Sequence, residues 1–289
     1  MITVAVAVVG AVVAATLGIF ALIRSPSSPQ GVLRYSKQVV LPFTGLTDPT
    51  GVAVDAKGNV YVTDTGHRRV LMVAAGSTSL TKLPFTGLQN LTGVAVDTKG
   101  AVYVSYFSGV GKVAKLAAGS TSQTVLPFTD LADPRAIAVD AVGNVYVADR
   151  GKKQVARLDA GSTSQTVLPF TGLDSPQGVA VDTAGDVYVT DDQMYDNRVL
   201  ELARGSTHQT VLPFTGLDQP YGVAVGPNSG VYITDSTSRQ VLRLAPGSSR
   251  QNALPVNDLN SPQGVAVDAK GDVYVTDAIR ARVVEFPAE

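Results

Sequence analysis

The segment GVAVDTAGDVYVTD, from Gly178 to Asp191, recurs in close copies along nearly the whole chain. The other copies begin at Gly51, Gly93, Ala136, Gly222 and Gly264. Leu-Pro pairs separate the copies and begin at Leu41, Leu83, Leu126, Leu168, Leu212 and Leu254, so that successive repeats are 42 to 44 residues apart. A period of this length is typical of a propeller blade. The sequence therefore predicts six structural repeats.

Each repeat has the pattern of a four-stranded meander. The β-branched runs Val179–Val181 and Val187–Val189 are too short for helices and are predicted to be strands. Between them, Asp182 can cap a turn through its side chain, and Gly185 can take the positive φ of a hairpin. A third run, Arg198–Leu202, and a fourth that ends in Leu-Pro-Phe follow. We interpret one repeat as an antiparallel sheet of four strands.

One such sheet carries apolar residues on both faces and cannot bury them alone. Stacking the sheets around an axis buries each face against a neighbour. We therefore predict an all-β fold, a six-bladed β-propeller of four-stranded antiparallel blades over residues 37–289. The last repeat reaches Glu289 after three strands, and Lys37–Phe43 supplies a strand before the first full copy. We expect this N-terminal strand to complete the last blade.

The pattern G-V-A-V-D-x-x-G-x-V-Y-V-T-D, followed by a basic or amide residue and Val, is similar to NHL repeats. The LPFTGL and AAGST spacers resemble those of the extracellular sensor domains of mycobacterial transmembrane Ser/Thr protein kinases. The resemblance covers roughly residues 32 to 289. It implies a six-bladed propeller that is displayed outside the cell on a single membrane span. The kinase catalytic domain of that family is absent from this sequence, so kinase activity is not carried over.

The N-terminal run Ile2–Ile23 contains no charged side chain and is long enough to cross a bilayer core of about 30 Å as a helix. We predict a transmembrane anchor at residues 1–23. A cleaved signal peptide is the alternative, although the run lacks a basic n-region and a persuasive cleavage site. Gly10, Ala14 and Gly18 recur every four residues, which would allow a homodimer through close helix packing, unless the spacing is a chance feature of an Ala-rich span.

Residues 24–36, which begin RSPSSPQG, are a predicted Pro/Ser linker of extended chain. The distribution of positive charge does not place the propeller outside the membrane. Arg24, Arg34 and Lys37 follow the predicted span, whereas only the terminal amine precedes it. The expected location, a single-pass cell-membrane protein with an extracytoplasmic propeller, therefore rests on the resemblance.

Composition excludes several classes of function. A net charge of −1 provides no broad basic field for nucleic acid, and the absence of cysteine excludes disulfides and thiolate ligands. The two histidines, His67 and His208, lie in different predicted loops. We therefore expect no metal site, no Ser/His/Asp triad and no cofactor. The prediction is a protein that is not an enzyme, with a propeller lyase or hydrolase as the alternative.

Comparison of the six copies identifies positions that serve the fold. One tyrosine per copy is predicted to pack between blades: Tyr61, Tyr103, Tyr146, Tyr188, Tyr232 and Tyr274. An aspartate at the hairpin entrance is predicted to cap the turn, with a ring of metal-binding carboxylates as the alternative: Asp55, Asp97, Asp140, Asp182 and Asp268. A second aspartate is predicted to shape a loop by local hydrogen bonds: Asp64, Asp149, Asp191, Asp235 and Asp277.

Candidate ligand-binding positions lie where a propeller brings two sets of loops to one face, here termed the upper face. These are the loops that enter the innermost strands and the loops between the second and third strands. The residue before each innermost strand varies although its neighbours hardly change: Thr50, Thr92, Arg135, Gln177, Tyr221 and Gln263. The second set of loops adds Tyr106, Phe107, Met194 and Tyr195. A constant scaffold beneath a variable rim predicts a binding surface.

We predict a membrane-anchored, extracytoplasmic propeller of the sensor type that binds a protein, peptide or cell-envelope ligand. An adhesion or scaffold module without signalling is the alternative. The variation could instead be unselected loop drift, and Tyr106 and Phe107 could reflect a local adjustment of packing.

Overall fold

The computed structural model describes residues 34–289 except Tyr195. The predicted transmembrane anchor, its dimer face at Gly10, Ala14 and Gly18, and most of the predicted linker lie outside the described residues. Within the described part, no helix combines the length and the apolar character that a membrane span requires.

The described residues form strands of four kinds, which differ in their distance from the propeller axis. The innermost strands are β2 (Pro49–Val54), β6 (Leu91–Val96), β10 (Pro134–Val139), β14 (Pro176–Val181), β18 (Pro220–Val225) and β22 (Pro262–Val267). The second strands are β3 (Val60–Asp64), β7 (Val102–Phe107), β11 (Val145–Asp149), β15 (Val187–Asp191), β19 (Val231–Asp235) and β23 (Val273–Asp277). The third strands are β4 (Arg69–Val73), β8 (Gly111–Leu116), β12 (Gln154–Leu158), β16 (Arg198–Leu202), β20 (Gln240–Leu244) and β24 (Arg282–Phe286). The outermost strands are β5 (Leu80–Lys82), β9 (Gln123–Val125), β13 (Gln165–Val167), β17 (Thr210–Val211), β21 (Gln251–Ala253) and β1 (Val39–Val40). A short 3₁₀ helix, Arg150–Lys152, follows β11.

These strands build six four-stranded antiparallel sheets, which confirms the predicted fold class. Five sheets follow chain order, and the sixth has the order β1-β24-β23-β22. In that sheet Val39 lies opposite Glu285, and the Leu41 N–H donates to the Val283 carbonyl at 2.9 Å. The first and last strands of the described chain therefore share one blade.

The innermost strands contact each other around the axis, from β2 through to β22 and back to β2. In five of the six innermost strands this close approach requires glycine, whereas the third has Ala136. A Cβ atom on Gly178 would lie 2.5 Å from the Tyr221 carbonyl oxygen and 2.7 Å from Thr190 Oγ1. Similar close approaches occur at Gly51, Gly93, Gly222 and Gly264.

The apolar core lies between neighbouring blades, as the tyrosine positions predicted. Tyr61 of the first blade belongs to the same buried cluster as Val94 of the second. Its hydroxyl donates to Asp55 Oδ2 at 3.0 Å, while Asp55 Oδ1 accepts the N–H groups of Lys57 and Asn59 at 2.9 Å. The same tyrosine-aspartate bond forms at Tyr103, Tyr146, Tyr188 and Tyr274. The prediction that the first aspartate caps the hairpin is confirmed.

The fifth blade has Gly226 where the others have this aspartate. There the hydroxyl of Tyr232 lies 2.8 Å from the hydroxyl of Tyr35 and accepts a hydrogen bond from Arg243 Nε at 3.0 Å. A Cβ atom on Gly226 would lie 2.9 Å from the Tyr232 ring. The segment before β1 therefore supplies a hydrogen-bond partner for the hydroxyl of Tyr232, which has no carboxylate in its own hairpin.

Candidate functional site

Buried aspartates join the two sets of loops on the upper face. Asp191, at the end of β15, is fully buried. Its Oδ1 accepts the N–H groups of Asp174 at 3.0 Å and Ser175 at 2.9 Å, both in the loop that enters β14, and Arg198 Nη2 donates to Oδ2 at 3.0 Å. Equivalent bonds to the entering loop are made by Asp64, Asp149, Asp235 and Asp277. The prediction that these residues shape the loops is confirmed.

A hydroxyl group on the second strand connects each of five blades to the next. Thr190 Oγ1 accepts the Gly178 N–H at 2.8 Å and donates to the Tyr221 carbonyl of the fifth blade at 2.6 Å. The same link runs from Thr63 to Thr92, from Ser105 to Arg135, from Thr234 to Gln263 and from Thr276 to Thr50. The backbone of these candidate residues is therefore held in place by the preceding blade.

The candidate residues predicted to precede the innermost strands are instead the second residue of each strand, because strand pairing begins at the residue before them. Five of the six line a small axial cavity. Thr50, Thr92, Arg135, Gln177 and Tyr221 line a space of about 60 Å³. Gln263 directly precedes Gly264, which also lines it. Pockets for drug-sized ligands are about 300 Å³ or more. The cavity therefore has room for one small chemical group rather than a whole cofactor.

The hydroxyl groups of two of these residues form hydrogen bonds within the propeller. Thr50 Oγ1 lies 2.8 Å from Thr63 Oγ1 and 2.8 Å from the Thr92 carbonyl oxygen. Thr92 Oγ1 donates to the Pro134 carbonyl at 2.8 Å. These two threonines therefore reinforce the joints between the first three blades.

Three other polar atoms at this position lack a hydrogen-bond partner among the described residues: Arg135 Nε, Gln177 Oε1 and Gln263 Oε1. The side chain of Gln177 is 5% exposed, and its Nε2 donates to Ser175 Oγ at 2.9 Å. Buried polar atoms are nearly always paired, because an unpaired one forfeits the hydrogen bonds that it made to water. Arg135 and Gln177 both line the axial cavity, so two of these three atoms belong to residues of its wall.

Arg135 and Tyr221 contribute a charged and a phenolic group to the cavity lining. Arg135 Nη2 lies 3.2 Å from Asp133 Oδ2, which also pairs with Arg150 Nη2 at 2.6 Å. Burial raises the pKa of Tyr221, while the nearby Arg135 guanidinium acts in the opposite direction. Burial also raises the pKa of Asp192. Asp133 was not predicted as a site residue, because it lies directly before β10 and outside the repeated strand pattern.

The predicted rim residues in the second set of loops differ in exposure. Tyr106, a candidate for the rim with a local packing adjustment as the alternative, is 4% exposed and packs in the buried cluster that contains Leu91, which fits the packing alternative. Leu91 and Tyr106 lie opposite each other, where the fourth blade pairs Pro176 with Asp191. An apolar pair has therefore replaced the loop-binding carboxylate.

The other three residues of that set have different positions. Phe107 extends β7 and is half-buried, and its N–H donates to the Gln89 carbonyl at 3.0 Å. Met194 is 81% exposed. Tyr195 lies outside the described residues.

The two histidines lie apart, as expected. His67 Nδ1 lies 2.9 Å from Asp64 Oδ2 at the upper face, and His208 Nδ1 contacts Thr207 Oγ1 in the loop before β17. Among residues 34–289 other than Tyr195, no group of three or more His, Asp or Glu side chains is arranged to hold a metal ion.

Comparison with known proteins supports the repeat assignment. Residues 46–71, 173–200 and 259–286 match the NHL repeat family. An 81-residue segment is 50% identical to the serine/threonine-protein kinase PknD of Mycobacterium tuberculosis. That segment is 27% of this chain and 12% of the kinase, so the match spans a small part of the relative.

Solved structures share the fold at low sequence identity. A gluconolactonase from Xanthomonas campestris has a TM-score of 0.72 and 14% identity, over 89% of this chain and 95% of that one. A virginiamycin B lyase from Staphylococcus aureus has a TM-score of 0.65 and 13% identity, over 87% and 99%. A chain from a nidogen/laminin complex has a TM-score of 0.66 and 20% identity, over 73% and 82%. The chain thus carries NHL repeats and folds as a six-bladed β-propeller.

Proposed function

We propose that this propeller binds a protein, peptide or cell-envelope ligand at its upper face, over the axial cavity. The observation that carries the proposal is that Arg135 Nε and Gln177 Oε1 have no hydrogen-bond partner among the described residues. These two residues, from the third and fourth blades, both line the axial cavity. A ligand that enters the cavity would supply the missing partners, and the surrounding loops would contact the rest of the ligand.

The proposed setting is a sensor that is anchored in the cell membrane by one span, with the propeller outside. The local identity to PknD supports the sensor type, and the uncharged run Ile2–Ile23 supports the anchor. Association through Gly10, Ala14 and Gly18 would bring two propellers together. The proposed role is binding without catalysis.

The test is capture from a cell-envelope extract by the full chain, residues 1–289. We expect a saturable partner that is lost with Arg135→Ala and with Tyr221→Ala, because both side chains line the cavity. Arg250→Ala is the matched control, since Arg250 is exposed and precedes β21, away from the cavity. All variants should unfold at the temperature of the parent chain. Equal capture by every variant would refute the proposed site.

The same chain separates the alternatives. Turnover of a sugar lactone or a streptogramin that Arg135→Ala abolishes would replace the binding proposal with a propeller hydrolase or lyase. Saturable capture that leaves the oligomeric state of the anchored chain unchanged would favour an adhesion or scaffold module over a sensor.

A further inference from the structure

The lower face, opposite the upper face, carries the hairpins between the first and second strands and the loops that precede the outermost strands. There the segment before β1 inserts Tyr35 between the fifth and sixth blades. The Tyr35 ring packs against the buried cluster that contains Tyr232 and Phe286, its hydroxyl lies 2.8 Å from the Tyr232 hydroxyl, and burial raises its pKa. The Arg243 guanidinium lies over the Tyr232 ring, 5.7 Å from its centroid. A tyrosine side chain therefore fits between two blades at this face, beside a tyrosine that a cation covers.

A cation covers the corresponding tyrosine in two other blades. Lys115 Nζ lies 5.0 Å from the centroid of the Tyr103 ring, and the Arg157 guanidinium lies 5.7 Å from that of Tyr146. Each pair lines a cavity at the lower face, of about 250 Å³ between the second and third blades and of about 280 Å³ between the third and fourth. These two spaces, termed the lower cavities, are slightly smaller than pockets for drug-sized ligands, which begin at about 300 Å³. Each therefore suits one side chain.

The repeats show why the lower cavities are open. In three blades a glutamine at or directly before the start of the outermost strand accepts an N–H from the linker that follows the preceding blade, which aligns the repeats: Gln38, Gln165 and Gln209. Three residues before this glutamine, the sixth blade has Tyr35, the third has Ser162 and the fourth has Ser206. The two serines line the lower cavities. A serine is too small to occupy the space that a tyrosine fills between the fifth and sixth blades.

We propose that each lower cavity receives the phenol ring of a tyrosine side chain, inserted by a peptide or protein partner. Leucine and proline form its apolar side, Leu168 and Pro169 in the cavity of about 280 Å³. The Tyr146 hydroxyl donates to Asp140 Oδ2 at 3.1 Å, so its oxygen can still accept a hydrogen bond from the incoming phenol. This site is separate from the axial cavity and does not depend on the function proposed for the upper face.

An exposed valine connects the two lower cavities and favours a polypeptide over a free phenol. Val142 lies at the tip of the hairpin of the third blade, is 72% exposed and lines both cavities. The other hairpins have Lys, Ala or Asn at this position. A chain with two tyrosines would bury this valine while it inserts one ring on each side, which a free phenol cannot do.

Small phenols test the chemistry of the lower cavities. Saturation-transfer NMR on the full chain would compare p-cresol, which is the tyrosine side chain without its backbone, with 4-methylanisole. We expect 4-methylanisole to bind about fivefold more weakly, because it has the same ring but no hydroxyl proton to donate. Arg135→Ala should leave the p-cresol signal unchanged, since Arg135 lines the axial cavity. Equal binding of both compounds, or no binding of p-cresol, would overturn the proposal.

Variants locate the signal. Ser162→Tyr combined with Ser206→Tyr should abolish p-cresol binding, because the new side chains would fill both lower cavities as Tyr35 fills the equivalent space. Ser77→Tyr combined with Ser248→Tyr is the matched control, since these serines hold the same loop position in the first and fifth blades and line neither cavity. Unchanged binding in the first pair, or equal loss in both pairs, would refute the assignment to the lower cavities.

Opening the filled space provides a second measurement if those variants do not fold. Tyr35→Ala should add a third site between the fifth and sixth blades. Binding of p-cresol should then increase, and p-cresol should raise the unfolding temperature of this variant more than that of the parent chain. An identical response of both chains would show that the space vacated by Tyr35 does not bind a phenol, which contradicts the proposal.

Linked tyrosines identify the source of the phenol. Isothermal titration calorimetry would compare peptides in which Gly-Ser linkers of increasing length join two tyrosines with peptides in which alanine replaces one of the two. At least one linker length should bind about tenfold more tightly than its single-tyrosine control, because the second ring binds in an intramolecular step. Val142→Lys should reduce this gain. No gain at any linker length would overturn the polypeptide partner.

Discussion

The hydroxyl groups of Tyr35 and Tyr232 lie 2.8 Å apart although 197 residues separate them in the chain. This contact ties the segment before β1 to the fifth blade, while β1 itself pairs with β24 in the sixth. The first described residues therefore bind two successive blades. Since each blade is stabilised by the contacts with its neighbours, these bonds contribute to the stability of the fifth and sixth blades.

Replacing Tyr35 with Phe should lower the free energy of unfolding by about 1 kcal/mol, the typical net contribution of one hydrogen bond. The aromatic ring stays in place, and Tyr232 still accepts a hydrogen bond from Arg243. Urea denaturation of the full chain measures the change. Tyr106→Phe is the control, because Tyr106 is a buried ring whose hydroxyl makes no hydrogen bond to the described residues. An equal effect of both changes would contradict the assigned role.

Ala136 and Ala148 form a compensating pair in the third blade. They occupy the positions at which the fourth blade pairs Gly178 with Thr190, and both pack in one buried cluster. A Cβ atom on Gly178 would lie 2.7 Å from Thr190 Oγ1, so a methyl group and a hydroxyl group cannot both be present there without a shift. The third blade has the methyl group and lacks the hydroxyl.

We expect Ala148→Thr alone to destabilise the chain by about 1–3 kcal/mol through overpacking. Adding Ala136→Gly should restore stability, because the new hydroxyl can then bond to the Gln177 carbonyl as its counterparts do in other blades. A double-mutant cycle from urea denaturation measures the coupling. Additive effects of the two changes would show that the positions are independent.

Glutamines that begin or directly precede the outermost strands join neighbouring blades at the outer edge of the propeller. Gln209 Oε1 accepts the Thr171 N–H at 2.8 Å, and its Nε2 donates to the Thr171 carbonyl at 2.9 Å. The same pair of bonds forms between Gln123 and Thr86 and between Gln251 and Thr215.

Gln209→Leu should therefore cost about 1 kcal/mol, since its two bonds are solvent-exposed and each is worth less than a buried one. The first blade tolerates leucine at this position because Leu80 packs against a core cluster. Urea denaturation measures the loss, with Gln89→Leu as the control that changes an exposed glutamine in a loop. An unchanged urea midpoint for Gln209→Leu would show that the two hydrogen bonds between Gln209 and Thr171 do not contribute to stability.

The tyrosines between the blades predict a loss of stability at alkaline pH. Burial, together with the neighbouring Asp55 carboxylate, raises the pKa of Tyr61 to about 12, from about 10 in an unfolded chain. Burial raises the pKa of Tyr103, Tyr188 and Tyr274 as well. The folded state holds these protons more tightly, so the stabilisation is complete below pH 10 and is lost as the pH rises through the folded pKa.

Urea midpoints measured from pH 8 to pH 11.5 should therefore stay level up to about pH 10 and then fall. Tyr61→Phe should fall less steeply over the same range, because one titrating group has been removed. A parent chain whose midpoint rises above pH 10 would contradict the direction of these pKa shifts.

Residue patterns within the repeats are sufficient to predict the strands, the number of blades and the aspartate caps of the hairpins. Val179–Val181 has strand character wherever it lies, and Asp182 caps a turn within a few residues of itself. These features depend on neighbours in the chain, so sequence comparison recovers them. Comparison of the six copies in one chain also shows which position varies, and a binding role for that position stays a prediction.

The chemistry at those positions depends on residues that are distant in sequence. Tyr106 has the same appearance in the sequence whether it faces solvent or Leu91, and the register of β6 against β7 makes it a core residue. The Thr50 hydroxyl donates a hydrogen bond to the Thr92 carbonyl of the next blade, whereas Gln177 Oε1 has no partner among the described residues. Local sequence specifies each blade because its bonds are short-range, but the closed ring determines which polar atoms remain available, because that depends on how six blades meet at one axis.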